Sequence, residues 1–381
     1  MFVCLDSVCG YHDYMSSLCT NLAEVGMAQD VDICLVTCPS TDYTPAVQPP
    51  YDIYNIIPIG FTPRGNRLRS LAFKVYYHHR RYGVVYKWIR ALDKKVDVVH
   101  FQQHVTPLFA SGMWHKLRSM GIKVVLTVHD IVTNRLYHNR FVPVSQWISR
   151  SAWRQCDAIC VHSDRLRNQL SAFMGATHPP IYVTQHAIWP CPPIPPVSER
   201  HTLLFFGVIH PYKGLDVLLR AMPYLPEYKL IIAGRPEASI MKQYMPHIRA
   251  LISMLPPEQV ELYDQFIPQA LVPEFFGRSG LVVMPYTTFS SQSGVLHLAL
   301  GYGRPVVVTD IGAMGAIVRE LGVGEVVPPG DVNGLVSGIR RSLSHERYTS
   351  AVAATAKAKT DLTWARMAQD TINVYRSVTL S

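Results

Sequence analysis

The sequence predicts an α/β protein built from two doubly wound parallel-sheet domains. Three observations carry this. The chain has 381 residues, more than one ordinary core needs and suited to two domains of about 150 to 200 residues each. Apolar strand-type runs alternate with helical patterns in both halves, and a proline-rich break separates the halves. With 48% apolar and 17% charged residues, there is material for two cores and no signature of disorder.

In the first half the runs are "VDICLVT", "VDVVHF", "KVVLTVHD" and "AICVHS". Each is short, rich in β-branched residues and closed or directly followed by a polar residue, as buried parallel strands are. Segment 189–200, "WPCPPIPPVSER", holds five prolines in twelve residues; it continues neither a helix nor a central strand and reads as a linker. The alternation then resumes with "TLLFFG", "KLIIAG", "GLVVMPY" and "PVVVTDIG". The expected division is residues 1–188, the linker 189–200, a second domain 201–362, and a final helix 363–381 that crosses back to the first domain. Ligands of such folds lie beyond the carboxyl ends of the strands, in the cleft between two domains. Functional residues are therefore expected at strand ends.

The net charge of +9 is unevenly placed: residues 61–95 carry ten Lys or Arg against one Asp, an excess equal to that of the whole chain. Apolar residues recur there at spacings of three and four, giving an amphipathic helix with aromatic residues beside basic ones. Arg64, Arg67, Arg69, Lys74, Arg80, Arg81, Lys87, Trp88 and Arg90 form a surface suited to an anionic membrane. No recognised nucleic-acid module accompanies the patch, so nucleic acid is not an expected partner. Eight cysteines without a C-x2-C pair read as reduced packing residues, and no metal is expected. "MFVCLDSVCG" lacks the pattern of a signal peptide, and no apolar run is long enough to span a bilayer. A cytoplasmic enzyme, peripheral on the inner face of the membrane, is expected.

Two strand ends carry chemistry. In "GVIHPYKGLDVLLRAM", Gly207 closes a strand and Lys213 and Gly214 precede an amphipathic helix, a place where a lysine and a helix N-terminus together hold phosphate. No Walker A loop is present. In residues 284–312 a strand gives way to the polar turn Thr287 to Gly294 and then a helix, with Ser290, Ser291 and Ser293 of N-cap type. Taken singly, each serine is as naturally a cap as a ligand. Two anion sites in one domain suggest a nucleotide.

These segments, with "LIIAGRP", "QFIPQALVPEFFGRSG" and "VVPPGDVNGL", resemble the C-terminal domain of glycosyltransferase family 4 over residues 202–335; "DVVHF", "VVLTVHDI" and "DAICVHSDRLRNQL" extend the resemblance more thinly into the first half. The resemblance implies the GT-B fold, two Rossmann-like domains facing across a cleft. It further implies retaining transfer of a sugar from a UDP- or GDP-sugar donor to an acceptor, here a glycan or lipid-linked precursor. Carried over by position, Lys213 contacts the donor phosphates and His210 stands where many relatives have a phosphate-binding arginine. Gly207 permits close approach, and Ser291, Gln292, Ser293, Gly294 and Val295 hold the distal phosphate and sugar. Ile267 and Arg235 fall near the base, His129 near the transferred sugar, and Gly10 in the first loop. His129 and Lys213 are the implied catalytic pair, and no cofactor beyond the nucleotide-sugar substrate is implied.

The sequence departs from the family pattern where relatives carry two glutamates eight positions apart. Here those places hold Ser290 and Leu298, and the loop has a "QSG" variant. The departure leaves a second reading open, a non-catalytic GT-B scaffold or regulatory subunit at the membrane.

Overall fold

A computed structural model describes residues 2–3, 11–37, 48–57, 67–102, 107–131, 142–195, 197, 200–238, 241–288 and 293–380. The chain divides into two compact units, Met1–His186 with Trp364–Ser381, and Ala187–Thr363.

The first unit is a seven-stranded parallel sheet of β1 (Phe2–Val3), β2 (Cys34–Val36), β3 (Asp52–Tyr54), β4 (Val98–Gln102), β5 (Lys123–Thr127), β6 (Ala158–Val161) and β7 (Ile181–Val183), in the order 3-2-1-4-5-6-7. Strands β4 to β6 are almost wholly buried: Val99, Phe101, Val124, Leu126, Ile159 and Val161 are fully buried on the face that carries Trp114 and Leu117, and the other face holds the buried polar residues His100, Gln102 and Thr127. The basic segment forms the helix Arg67–Arg90, and Tyr82, Val85 and Ile89 fill the same core. The last helix, Trp364–Thr379, packs against the helix Tyr11–Met27. Gln29 Nε2 donates to Gln369 Oε1 at 2.8 Å, and the Tyr375 hydroxyl lies 2.8 Å from His100 Nδ1.

The second unit repeats the winding with β8 (Thr202–Phe206), β9 (Lys229–Ala233), β10 (Val260–Tyr263), β11 (Leu281–Met284), β12 (Val306–Thr309) and β13 (Gly324–Val327), all parallel, in the order 10-9-8-11-12-13. Leu203 of β8 stands opposite Leu230 and Leu281 of its two neighbours. The strand order reverses between β1 and β4 and again between β8 and β11; such reversals open the crevices in which doubly wound sheets bind ligands. The proline-rich segment is not a free tether: it belongs to the second unit and lies along it. The Arg304 guanidinium donates to the carbonyls of Phe276 at 2.8 Å and Pro195 at 3.3 Å. A Cβ on Gly301 would come within 2.6 Å of both the Cys191 sulfur and the Trp189 carbonyl. An extended proline-rich strip donates few backbone hydrogen bonds, so it is held by packing and by side chains such as Arg304.

The ends of β8 and β9 are drawn together by glycine. Gly207 and Gly234 have φ of +96° and +153°, and a Cβ on Gly234 would fall on the Gly207 carbonyl. Gly234→Ala is expected to destabilise the chain by at least about 2 kcal/mol in urea unfolding, since backbone must shift and a strained φ must be kept. An unchanged midpoint would contradict this close approach.

Candidate active site

The crevice between β8 and β11 is built from two interlocked loops. After Gly207 the chain makes a one-turn 3₁₀ helix, Pro211–Lys213, capped by His210, whose Nδ1 accepts from the Tyr212 N–H at 3.3 Å. His210 therefore carries its proton on Nε2, 3.3 Å from a Glu237 carboxylate oxygen. Burial lowers the His210 pKa, Glu237 opposes this and Lys213 adds to it. Gly214, at φ +68°, turns the chain into the helix Leu215–Ala221; a Cβ there would fall on the Pro285 carbonyl just beyond β11. Across the same junction the Thr287 N–H donates to the Tyr212 carbonyl at 2.8 Å.

Lys213 is the product of this interlock. It is only 7% exposed, and its Nζ lies 5.5 Å from the centroid of the Tyr286 ring. A Cβ on Gly207 would come 3.1 Å from that Nζ and 3.3 Å from Val295 Cγ2, so the missing side chain leaves room for the ammonium beside the end of β8. Among the described residues, no carboxylate forms an ion pair with Lys213 and no acceptor takes its protons. Burial holds its pKa below the ordinary lysine value. The Tyr286 ring face offsets part of the desolvation. A cation in such surroundings is costly unless an anion joins it.

Across Gly207 from Lys213 lies the start of the helix Gly294–Gly301. Ser293 is 4% exposed and does not cap this helix, because its hydroxyl is engaged with the Tyr286 hydroxyl at 3.1 Å. The Ser293 carbonyl accepts from the Leu296 and His297 N–H groups. Among the described residues the N–H groups of Gly294 and Val295 have no acceptor. Among the described residues no atom outside its own helix and chain neighbours lies within 4 Å of where a Cβ on Gly294 would stand. Uncapped N–H groups at a helix start, with a buried ammonium alongside, form a site for a dianion. Ser290, Ser291 and Gln292 lie outside the described residues. Leu298 is half-buried and packed on the core, so the helix offers no carboxylate there.

At the neighbouring strand ends, the Arg235 guanidinium lies 5.8 Å from the centroid of the Phe266 ring, and Phe266 is 59% exposed. Ile267 is half-buried against the core. An exposed aromatic face with a guanidinium over it is a platform for a planar ring. Phe266, more than Ile267, presents the ring.

In the first unit, His129 follows β5, with Nε2 2.9 Å from Gln102 Oε1 and Nδ1 3.1 Å from His162 Nε2. The Tyr14 ring packs against the rings of His129, His162, His186 and Trp364 at centroid distances of 5.3 to 5.8 Å. Gly10 lies outside the described residues. On the basic helix, Arg80, Lys87 and Arg90 are exposed, and Arg81 is half-buried with its guanidinium 5.1 Å from the Tyr77 ring centroid. Trp88 corrects the sequence reading: it is half-buried against the core with its ring 4.6 Å from that of Tyr54, so it is engaged in packing and does not join the basic surface. Arg64 and the side chains of Arg67, Arg69 and Lys74 lie outside the described residues.

A model of the glycosyl transferases group 1 domain matches residues 200–345, and a model of glycosyltransferase family 4 matches residues 13–190. The chain belongs to glycosyltransferase family 4. A phosphatidyl-myo-inositol mannosyltransferase of Mycobacterium leprae is 28% identical over 331 residues, 84% of this chain and 82% of the relative. A GDP-mannose:glycolipid 4-beta-D-mannosyltransferase of Xanthomonas campestris is 32% identical over 128 residues, 32% of this chain and 34% of the relative. Among solved structures, sucrose-phosphate synthase of Thermosynechococcus elongatus superimposes with a TM-score of 0.73 at 15% identity, covering 99% of this chain and 98% of the other. Anabaena HepE in complex with UDP gives 0.69 at 15% identity, covering 99% of both. The fold is GT-B.

In this family 4 glycosyltransferase the structure gathers Gly207, Lys213, Ser293, Gly294 and Val295 in one place. His210 lies beside them, turned toward Glu237, and Arg235 and Ile267 lie at the next strand ends. Tyr286, which supports both Lys213 and Ser293, was not singled out from sequence, although it closes the run "GLVVMPY". Tyr14, Gln102 and His162 were missed too; Gln102 ends β4 and His162 directly follows β6, and a polar residue at a strand end is the signal that could have found them. Because the buried ammonium opposes folding, Lys213→Met is expected to raise the thermal midpoint of the ligand-free protein. The same variant is expected to bind UDP and GDP at least about tenfold more weakly, from loss of a charge-assisted contact. Thermal melts with and without nucleotide measure both, and a lowered ligand-free midpoint with unchanged nucleotide affinity would contradict this role for Lys213.

Proposed function

We propose that the enzyme transfers a hexosyl group from a UDP- or GDP-sugar to a lipid-linked or other glycan acceptor, with retention of configuration, on an anionic membrane surface. The observation that carries this reading is the buried Lys213, without an ion-pair partner among the described residues, beside the N–H groups of Gly294 and Val295, which have no acceptor among them. As the bond from the anomeric carbon to the diphosphate breaks, negative charge grows on the departing oxygens. A fixed ammonium and fixed peptide dipoles stabilise that charge without reorganising. Gly207 lets the diphosphate approach the backbone, and the Phe266 face with Arg235 receives the base. His129 serves the transferred sugar or the acceptor.

The relatives support the acceptor class: one is named for phosphatidyl-myo-inositol and one for a glycolipid. Among the described residues no helix is long and apolar enough to cross a membrane, so the proposed attachment is peripheral. Arg80, Lys87 and Arg90 on the exposed face of the helix Arg67–Arg90 attract anionic lipid, at about 1 kcal/mol each near the surface. In this reading Lys213 and the helix N-terminus do the work a divalent metal does elsewhere, and no nucleic acid takes part.

A donor panel of UDP- and GDP-hexoses tests the reaction. Hydrolysis or transfer is expected with at least one donor, giving a product with the donor's anomeric configuration, and EDTA is expected to leave the rate unchanged. Nucleotide binding without turnover on any donor would return the non-catalytic reading. In vesicle co-sedimentation, the triple charge reversal Arg80→Glu, Lys87→Glu and Arg90→Glu is expected to abolish binding to anionic lipid at moderate salt. Equal binding of the native protein to neutral and anionic vesicles would remove the electrostatic attachment.

A further inference from the structure

A line of hydrogen bonds crosses the carboxyl ends of four adjacent strands in the first unit. Gln102 closes β4, His129 follows β5, His162 follows β6 and Thr184 follows β7. Gln102 Oε1 and His129 Nε2 are 2.9 Å apart, His129 Nδ1 and His162 Nε2 are 3.1 Å apart, and His162 Nδ1 lies 2.8 Å from the Thr184 carbonyl oxygen. The last bond sets the direction of all the others. A carbonyl only accepts, so His162 holds a proton on Nδ1. His162 is 4% exposed, and burial pushes its pKa down to about 4; the ring is neutral near pH 7, and its Nε2 is an acceptor. The His129 Nδ1–H fills that acceptor, and the Tyr14 hydroxyl stands 3.5 Å from the same nitrogen.

We propose that His162 is a positioning residue that fixes the proton of His129 on Nδ1, and that Gln102 serves the remaining nitrogen, Nε2, as the one at which His129 gains and loses a proton. Gln102 suits this task in an unusual way. It is 2% exposed, and among the described residues its amide Nε2 has no hydrogen-bond partner while its Oε1 faces His129. A buried amide nitrogen left unpaired is costly. Rotation of the terminal amide lets Gln102 meet either state of His129 Nε2: Oε1 accepts from the protonated nitrogen, and after rotation the amide N–H donates to the bare Nε2 lone pair. His129 thus gains and loses a proton at Nε2 with a Gln102 partner in both states, while its Nδ1–H stays on His162. The rings of Tyr14 and His186 wall the relay, with centroids 5.8 Å and 5.4 Å from that of His162.

The inference rests on the reading of His129 as a functional residue, and the tests separate the two. Long-range 1H–15N correlation spectra of the full chain report which nitrogen of His129 carries the proton. In the native protein Nδ1 is expected to stay protonated across the titration while Nε2 titrates; a neutral form protonated on Nε2 would overturn the proposal. In His162→Phe the fixed Nδ1–H signature is expected to be lost, with turnover falling about tenfold or more and the donor KM unchanged, since a mis-set histidine tautomer acts on the chemical step. His162→Gln is expected to restore both, because its amide donates to the Thr184 carbonyl and accepts from His129 Nδ1–H. Should His162→Gln fold but lose the signature and the turnover as fully as His162→Phe, the positioning role is wrong. Full turnover in His129→Ala would remove the functional reading of His129, while the native spectrum would still decide the relay.

Discussion

Burying an ammonium group without a counter-ion costs free energy, and the second unit of this protein is arranged to bear that cost at Lys213. The turn that carries the lysine is locked by Gly214 against the Pro285 carbonyl and by the Tyr212 carbonyl against Thr287. Gly207 gives up its side chain so that Nζ has room, and Tyr286 offers its ring face. Each of these is a concession at the β8–β11 crossover that a purely structural lysine would not need. In the proposed function the concession becomes a benefit when an anion arrives, with its remaining contacts at Gly294 and Val295. Ser293 completes the logic by bonding to Tyr286, which leaves its own helix uncapped. Stability and binding are opposed here, as in sites that are organised before their ligand arrives.

The first unit follows a different rule. Its candidate site contains hydrogen-bonded imidazole rings, and in the proposed relay their order comes from proton direction, which starts at the Thr184 carbonyl and runs through His162 to His129. The same helix and strand ends that hold these rings also bind the C-terminal helix, through the Tyr14 to Trp364 contact and the His100 to Tyr375 hydrogen bond. The final helix is therefore part of the framework of the first unit, and Trp364 extends the aromatic wall.

The long apolar runs of the sequence correspond to β2, β4, β5, β6, β8, β9, β11 and β12, since a strand covered by helices on both faces must be apolar throughout. Four of the strands that the sequence reading passed over, β3, β7, β10 and β13, are the sheet edges. Their residues are mostly half-buried, so no continuous run betrays them. The place of Lys213 was legible from its glycine punctuation, but its burial was not, because a turn lysine is ordinarily exposed. Residue type could not show that the Ser293 hydroxyl is already engaged by Tyr286, nor that His129 has His162 and Gln102 on either side. Trp88 was misread for a related reason: helical periodicity locates a stripe but leaves the width of its buried edge open, and the Tyr54 ring draws Trp88 inside it.

The state of Lys213 itself is the most direct point of contact between this account and experiment. NMR titration of its side-chain 15N or 13Cε resonance, in the ligand-free protein and with saturating UDP or GDP, reads the ammonium's surroundings without any substitution. The pKa is expected to lie below that of an ordinary lysine in the free protein, where burial disfavours the charge, and to rise when the diphosphate binds. An ordinary lysine pKa in the free protein, unmoved by either nucleotide, would contradict the central claim that a buried cation waits there for the donor's phosphates.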